Sequence, residues 1–381
     1  MVPEVLPESA FSVEEILEGV EAWVRISSPT IDPAGVNQMM DAAAAMMEAV
    51  GASVERHAGP PGYGDAVVAR MRPETDTPGI LVLSHLDTVH APETFAGDFP
   101  LRREGDVVYG PGILDMKAGA FLACYALRLL VERSKPVPLP VTFLFIPDEE
   151  LGSPSTRPLI EAEARKHRYV LVPEPAQDGG NLITGRWAFQ RFILRARGRP
   201  AHAGAVSDSG RSAIREIAEQ IVQIEALSNP TRDVSLAVGV VRGGTFVNVV
   251  PPVCEAEVLA VTADEAEFDR IREAMSALAS QTPGVTLDVE TGPVRPLFRP
   301  SPEGLALYAQ ARRLAQTIGF DPGHGSVGGG SDGNFSGALG VPTLDGLGAC
   351  GAGFHTQEEH ISVPCLVPRA RLFAELLQTL S

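Results

Sequence analysis

The 381-residue chain reads as an α/β protein, a mixed, largely parallel sheet with flanking helices that carries an inserted ferredoxin-like α+β domain. Three observations predict this. β-favouring runs alternate with helical stretches through about residue 180, and acids and histidines gather where those runs end. From about Leu182 the order changes to β-α-β-β-α-β, and helix and strand resume at Pro302. The boundaries fall near Gly180 and Thr291, giving an outer domain of residues 1–180 and 292–381 around an insertion of residues 181–291.

In chain order, Ser12-Val13-Glu14-Glu15 is a capping box opening an amphipathic helix to about Ile26. An Ala- and Met-rich helix is expected from Val36 to Val50, most simply a core helix. Two apolar β-type runs follow, Ala66 to Met71 and Gly79 to Ser84, the second leading into His85-Leu86-Asp87. Gly110-Pro111-Gly112 precedes Asp115 and a helix to about Glu132, and the run Leu139 to Ile146 ends in Asp148-Glu149-Glu150. A short helix, then Tyr169 to Glu174, complete the first half. The insertion reads as strands Trp187–Ala196, Val234–Val241, Cys254–Thr262 and Val285–Glu290, with helices Ser212–Leu227 and Asp264–Ser280.

Composition narrows the function. Apolar content of 44% with 21% charged residues is ample for a sizeable core, and a formal charge of -17 disfavours nucleic acid or an anionic membrane as partner. Cys124, Cys254, Cys350 and Cys365 form no Cys-x-x-Cys pair and read as thiols of a reducing compartment. The opening residues Met1 to Glu8 have neither a basic start nor an apolar run, and no apolar stretch is long enough to span a bilayer. A cytoplasmic protein is expected.

Three carboxylates in a row at a strand end repel one another unless a cation sits among them, and no run of Lys or Arg lies close by. A metal is the cation expected. His85, Asp115, Glu150, Glu174 and His355 offer the nitrogen and oxygen donors that zinc takes, with Glu149 as a carboxylate beyond that set. Taken singly each has a plainer reading: Asp115 could cap a helix, Glu174 could be a turn acid, and either histidine could be a packed or surface residue.

Taken together, Ser84-His85-Leu86-Asp87-Thr88-Val89, Gly112-Ile113-Leu114-Asp115-Met116-Lys117, Asp148-Glu149-Glu150-Leu151-Gly152-Ser153, Glu174, Arg199-Pro200-Ala201-His202-Ala203-Gly204, Gly328-Gly329-Gly330-Ser331-Asp332 and Gly353-Phe354-His355-Thr356 resemble the M20 family of zinc aminoacylases and carboxypeptidases. The resemblance covers nearly the whole chain and is nearest to the glutamate carboxypeptidase branch, from which Pro158 departs. It implies a zinc-exopeptidase fold with two Zn2+ per subunit, Co2+ or Mn2+ being possible substitutes. His85, Asp115 and Glu150 would hold one ion and Asp115, Glu174 and His355 the other, with a cis peptide at Asp115–Met116. Asp87 would fix the tautomer of His85, Glu149 would be the general base, and His202 would stabilise the oxyanion, often in the partner subunit's site. Asn248 and Arg295, with Arg299 as a rival, would bind a substrate carboxylate, helped by a backbone-donor loop at Gly329 and Gly330. The implied protein is a homodimer through the inserted lid, acting on a small N-acyl amino acid or peptide. A glutamate carboxypeptidase is expected first; a deacylase of the acetylornithine deacetylase or desuccinylase type, a dipeptidase, and a catalytically silent binding protein on the same fold are the alternatives.

Overall fold

A computed structural model describes residues 5–72, 74–91, 99–204 and 209–381. The chain divides into two compact units, one of Met1–Gly185, Phe298–Val327 and Ser331–Ser381, the other of Arg186–Leu297 with Gly328–Gly330.

The first unit is built on a six-stranded sheet in the order Ser53–His57, Ala66–Met71, Val141–Ile146, Ile80–His85, Tyr169–Leu171, Thr343–Leu344. The last four strands run parallel, Ala66–Met71 pairs antiparallel with Val141–Ile146, and Ser53–His57 pairs antiparallel with Ala66–Met71. Side chains alternate between the faces. Val67, Ala69, Ile80, Val82, Phe143 and Phe145 enter one core, whereas Val68, Leu81, Leu83, Leu144 and Ile146 enter another with Ile160 and Phe335. The larger core centres on helix Ala118–Glu132, whose buried residues include Phe121, Leu122, Tyr125 and Leu129; apolar all round, it belongs inside. Helices Val13–Val24, Pro33–Ala49 and Leu366–Thr379 share that core.

Caps explain where helices start. Ser12 accepts the Glu15 N–H as its pattern predicts. The second helix starts ahead of the expected Val36, because Asp32 accepts the Ala34 N–H and Pro33 suits the first helical position. Strand Ser53–His57 escaped the sequence reading because it is a polar edge strand without an apolar face.

The second unit is a four-stranded antiparallel sheet, ordered Val234–Gly243, Val253–Thr262, Ala188–Arg197, Thr286–Arg295, with helices Ala213–Glu225 and Glu265–Ser276. This is the ferredoxin-like order. Strand Ala188–Arg197 buries every second residue, and Phe192, Leu194 and Ala196 join Ile217, Val258 and Ile271 in its core. Among the described residues, no helix is long and apolar enough to cross a membrane.

Candidate metal centre and active site

Parallel pairing brings the carboxyl ends of three strands to one edge of the first unit's sheet. His85 lies opposite Ile146, so the Asp148–Glu150 turn starts beside it, and Glu174 follows the next strand. His85 is buried, and its Nδ1 donates to the Asp87 carbonyl oxygen at 3.0 Å. A carbonyl can only accept, so Nδ1 carries a proton and Nε2 is turned to the acids. The fixing contact is thus the Asp87 backbone carbonyl rather than its carboxylate, whose Oδ1 stands at 3.4 Å.

Asp87's carboxylate holds other parts. It accepts from Thr30 Oγ1 at 2.7 Å and from the backbone N–H groups of Glu149 and Glu150 at 3.1 and 3.2 Å. One buried acid therefore fixes the turn that carries both glutamates. Asp148, the first of the acid triplet, accepts from Ser155 N and Oγ and from the Thr156 hydroxyl. The repulsion expected among three adjacent acids is relieved in part because this one is spent on its own loop.

Asp115 stands at the centre. Asp115 does not cap helix Ala118–Glu132, which follows Lys117 without a side-chain cap, and residues Ile113–Lys117 form a single wide turn broken at Asp115 and Met116. The Asp115–Met116 peptide is cis, as the resemblance implies. Asp115 Oδ1 lies 2.9 Å from His85 Nε2, and Oδ2 lies 3.2 Å from His355 Nε2. Glu174 Oε1 is 3.6 Å from His85 Nε2, whereas Glu150 Oε2 is 3.3 Å from His355 Nε2. These contacts exchange the two glutamates relative to the expected division, pairing Glu174 with His85 and Glu150 with His355. His85, Asp115 and Glu150 also offer ligand atoms within 4.8 Å of one another. The closer pairing is the better guide, since two donors about 2.1 Å from a shared zinc in tetrahedral geometry lie about 3.4 Å apart.

The electrostatics fit a cation. Burial opposes a charged His85, yet Asp115, Asp87 and Glu174 carry its pKa well above the ordinary value. Burial likewise opposes ionisation of Asp115, and the two imidazoles overcome it, holding its carboxyl well below the usual range. Glu150 is pushed above its ordinary value by burial and then by the Asp115 charge. His355 rises to about 10 through its hydrogen bonds to Asp115 and Glu150. Three carboxylates and two imidazoles with acceptors turned on one another need protons or divalent ions between them, and the N and O donor set suits zinc.

Backbone detail places the other two candidate ligands, Glu174 and His355. A Cβ on Gly119 or Gly348 would meet the Pro173 carbonyl oxygen at 1.9 or 2.3 Å, so only glycines let these segments pack against the residue before Glu174. His355 has φ 64, in the left-handed region, on the loop between strands Gly351–Ala352 and His360–Ser362.

Sequence reasoning missed Glu359. It is buried and accepts the N–H groups of Gly112 at 3.0 Å, Leu114 at 2.8 Å and Asp115 at 3.1 Å, with His90 Nε2 at 2.6 Å. It thereby shapes the turn that presents Asp115. Its neighbour Glu358 is exposed, and nothing in the sequence distinguishes the two.

The other candidates lie in the second unit, apart from Arg299, which is exposed in the first. His202 is exposed, and its Nδ1 accepts the Gly204 N–H at 3.1 Å, which leaves Nε2 as the protonated donor. The Ala203 N–H donates to the Asn248 carbonyl at 2.8 Å, setting these two candidates side by side. Arg295 is 1% exposed, its guanidinium over the Phe189 ring. Arg186, also missed, is buried and donates to the carbonyls of Gly329 and Gly330 at 2.9 and 3.0 Å. A Cβ on Gly330 would strike the Phe189 ring, so packing alone accounts for that glycine.

Comparison with known proteins agrees. A model of peptidase family M20/M25/M40 matches residues 81–379. The chain is 27% identical over 375 residues to carboxypeptidase G2 of Pseudomonas sp. (strain RS-16), covering 96% of this chain and 89% of that protein. Its fold is similar to an M20 family metallo-carboxypeptidase from Sulfolobus solfataricus, with TM-score 0.74 at 14% identity over 96% and 98% of the two chains. Human carnosine dipeptidase 1 gives TM-score 0.72 at 16% identity over 96% of each chain.

Proposed function

Since the chain belongs to peptidase family M20/M25/M40 and is a metal-dependent hydrolase, we propose that it is a dinuclear zinc carboxypeptidase cleaving an amide whose amine side carries a free carboxylate, with glutamate preferred. The observation that carries this reading is Asp115, with one oxygen toward His85 and the other toward His355. Each half then has an imidazole, a glutamate and one oxygen of the shared acid. Bound there, divalent ions would acidify a water and polarise the scissile carbonyl.

The chain's own residues supply the rest. Glu149, on the turn held by Asp87, takes the water proton and passes it to the departing nitrogen. Asp87 keeps the Nδ1 proton of His85 in place through its carbonyl. His202, with Nε2–H as donor, stabilises the oxyanion, and Asn248 and Arg295 bind the substrate carboxylate. Likeness to carboxypeptidase G2 over 96% of this chain, with a buried arginine at 295, supports the carboxypeptidase above the deacylase and dipeptidase readings. A silent binding protein would have no use for a second glutamate held beside Glu150.

Glu149→Gln tests the reading. Metal analysis should find two zinc ions per chain in both proteins, while kcat on a C-terminal glutamyl peptide falls by about 10²–10⁴-fold. Near-normal turnover would sink the base assignment, and a single ion per chain would sink the dinuclear one.

A further inference from the structure

Away from the acids and imidazoles, two thiols meet at the foot of the hairpin that carries His355. Cys350 directly precedes strand Gly351–Ala352, and Cys365 ends the short turn Val363–Cys365 that follows strand His360–Ser362. The Cys350 N–H donates to Cys365 Sγ at 3.0 Å, and the Ser362 N–H donates to the Cys350 carbonyl at 2.8 Å. Arg369, in the first turn of the last helix, donates from Nη2 to Cys350 Sγ at 3.8 Å. Both thiols are partly exposed, whereas Cys124 and Cys254 are buried. We propose that Cys350 and Cys365 are a modification site, a dithiol that hydroperoxides oxidise to a disulfide across the base of this hairpin.

The surroundings divide the roles. The Cys350 thiol is pulled below its ordinary value, first by the Cys365 hydrogen bond and also by the Arg369 cation, against burial. Cys365 is pushed well above its ordinary value by the same contact. With the Arg369 guanidinium on its sulfur, Cys350 is the thiolate that attacks, and Cys365 the thiol that resolves. Cys350 sulfur attacks an oxygen of the hydroperoxide, the O–O bond breaks, and an alcohol (water, for hydrogen peroxide) departs once protonated, leaving a sulfenic acid. Cys365 sulfur then attacks Cys350 sulfur, and the sulfenic hydroxyl leaves as water with the Cys365 proton. In sum, two thiols and one hydroperoxide give one disulfide, one alcohol and one water. The bond encloses the loop bearing His355 and Glu359.

The test treats the metal-loaded full-length protein with equimolar hydrogen peroxide, blocks remaining thiols, and cleaves the denatured chain after Glu358 and Glu359, which separates the two cysteines. Expected is a pair of peptides joined through Cys350 and Cys365, two hydrogens lighter than the reduced pair and parted by dithiothreitol. Cys365→Ser should stop at a dimedone-reactive Cys350, and Cys350→Ser should consume peroxide about tenfold more slowly. Unlinked peptides from the wild-type chain overturn the proposal whatever the variants do. So does a dimedone adduct on Cys124 or Cys254 in place of Cys350.

Discussion

At the scale of single residues, one hydrogen bond decides what His202 can do. With Nδ1 accepting from Gly204, the ring offers Nε2–H, which suits it to an oxyanion and unsuits it to a metal through that nitrogen. His202→Ala is expected to lower kcat by about 10²–10³-fold with zinc content unchanged. Zinc lost from the variant would mean the histidine is misassigned. Most ligand candidates could be read from the sequence because strand ends and glycine-flanked turns mark where function gathers. Their partition between His85 and His355 could not, since it depends on which way the Glu150 and Glu174 carboxylates turn. Arg186 and Glu359 were illegible for a related reason: each acts by bonding main-chain atoms, and main-chain partners leave no mark in the residue types.

Among elements, the hairpin around His355 and the turn around Asp115 form one structural piece, joined by Glu359. Glu359→Ala strips acceptors from three N–H groups, and metal affinity should fall by about 10- to 100-fold, with Glu359→Gln between it and wild type. Competition with a chromogenic chelator measures this, and equal affinity for all three proteins would refute the link. On the opposite face of the sheet, helix Arg157–Ala164 is tied to strand Ala66–Met71 by Arg70 and the buried Glu163 at 2.8 Å. Burial pushes the Glu163 pKa up, but Arg70 and Lys166 more than offset it and hold it at about 2, below its ordinary 4.5. A depressed carboxyl stabilises the fold fully above pH 4.5 and loses that contribution as the pH falls through about 2. Glu163→Gln should therefore lower the urea midpoint at pH 7, with the gap to wild type closing between pH 4.5 and 2. A gap independent of pH would show that the ion pair contributes little. Long elements were legible from their periods, whereas the short strand Val107–Tyr109 is set by pairing with His360–Ser362 and Arg102–Glu104 by pairing with Val107–Tyr109, which no local pattern announces.

For the whole molecule, the second unit ends in an open edge. Among the described residues, strand Val234–Gly243 pairs with one strand, Val253–Thr262, and beyond a bridge from Asn229 to Val234 its outer side is open; Val241 on it and Val222 on the adjacent helix are 49% and 71% exposed. Such an edge invites a second copy, as expected of a homodimer. Sedimentation should find a dimer at micromolar concentration and a monomer for Val241→Lys; a monomeric wild type would dispose of the idea. The insertion was legible as a change of rhythm because its strands bury alternate residues over a core of their own. A practical corollary concerns Gly119. Swapping a helical glycine for alanine ordinarily gains about 1 kcal/mol, so a programme seeking a hardier enzyme would try it early. Here the added methyl has nowhere to go but into the peptide that leads to Glu174, and the sturdier helix would come at the expense of a proposed metal ligand.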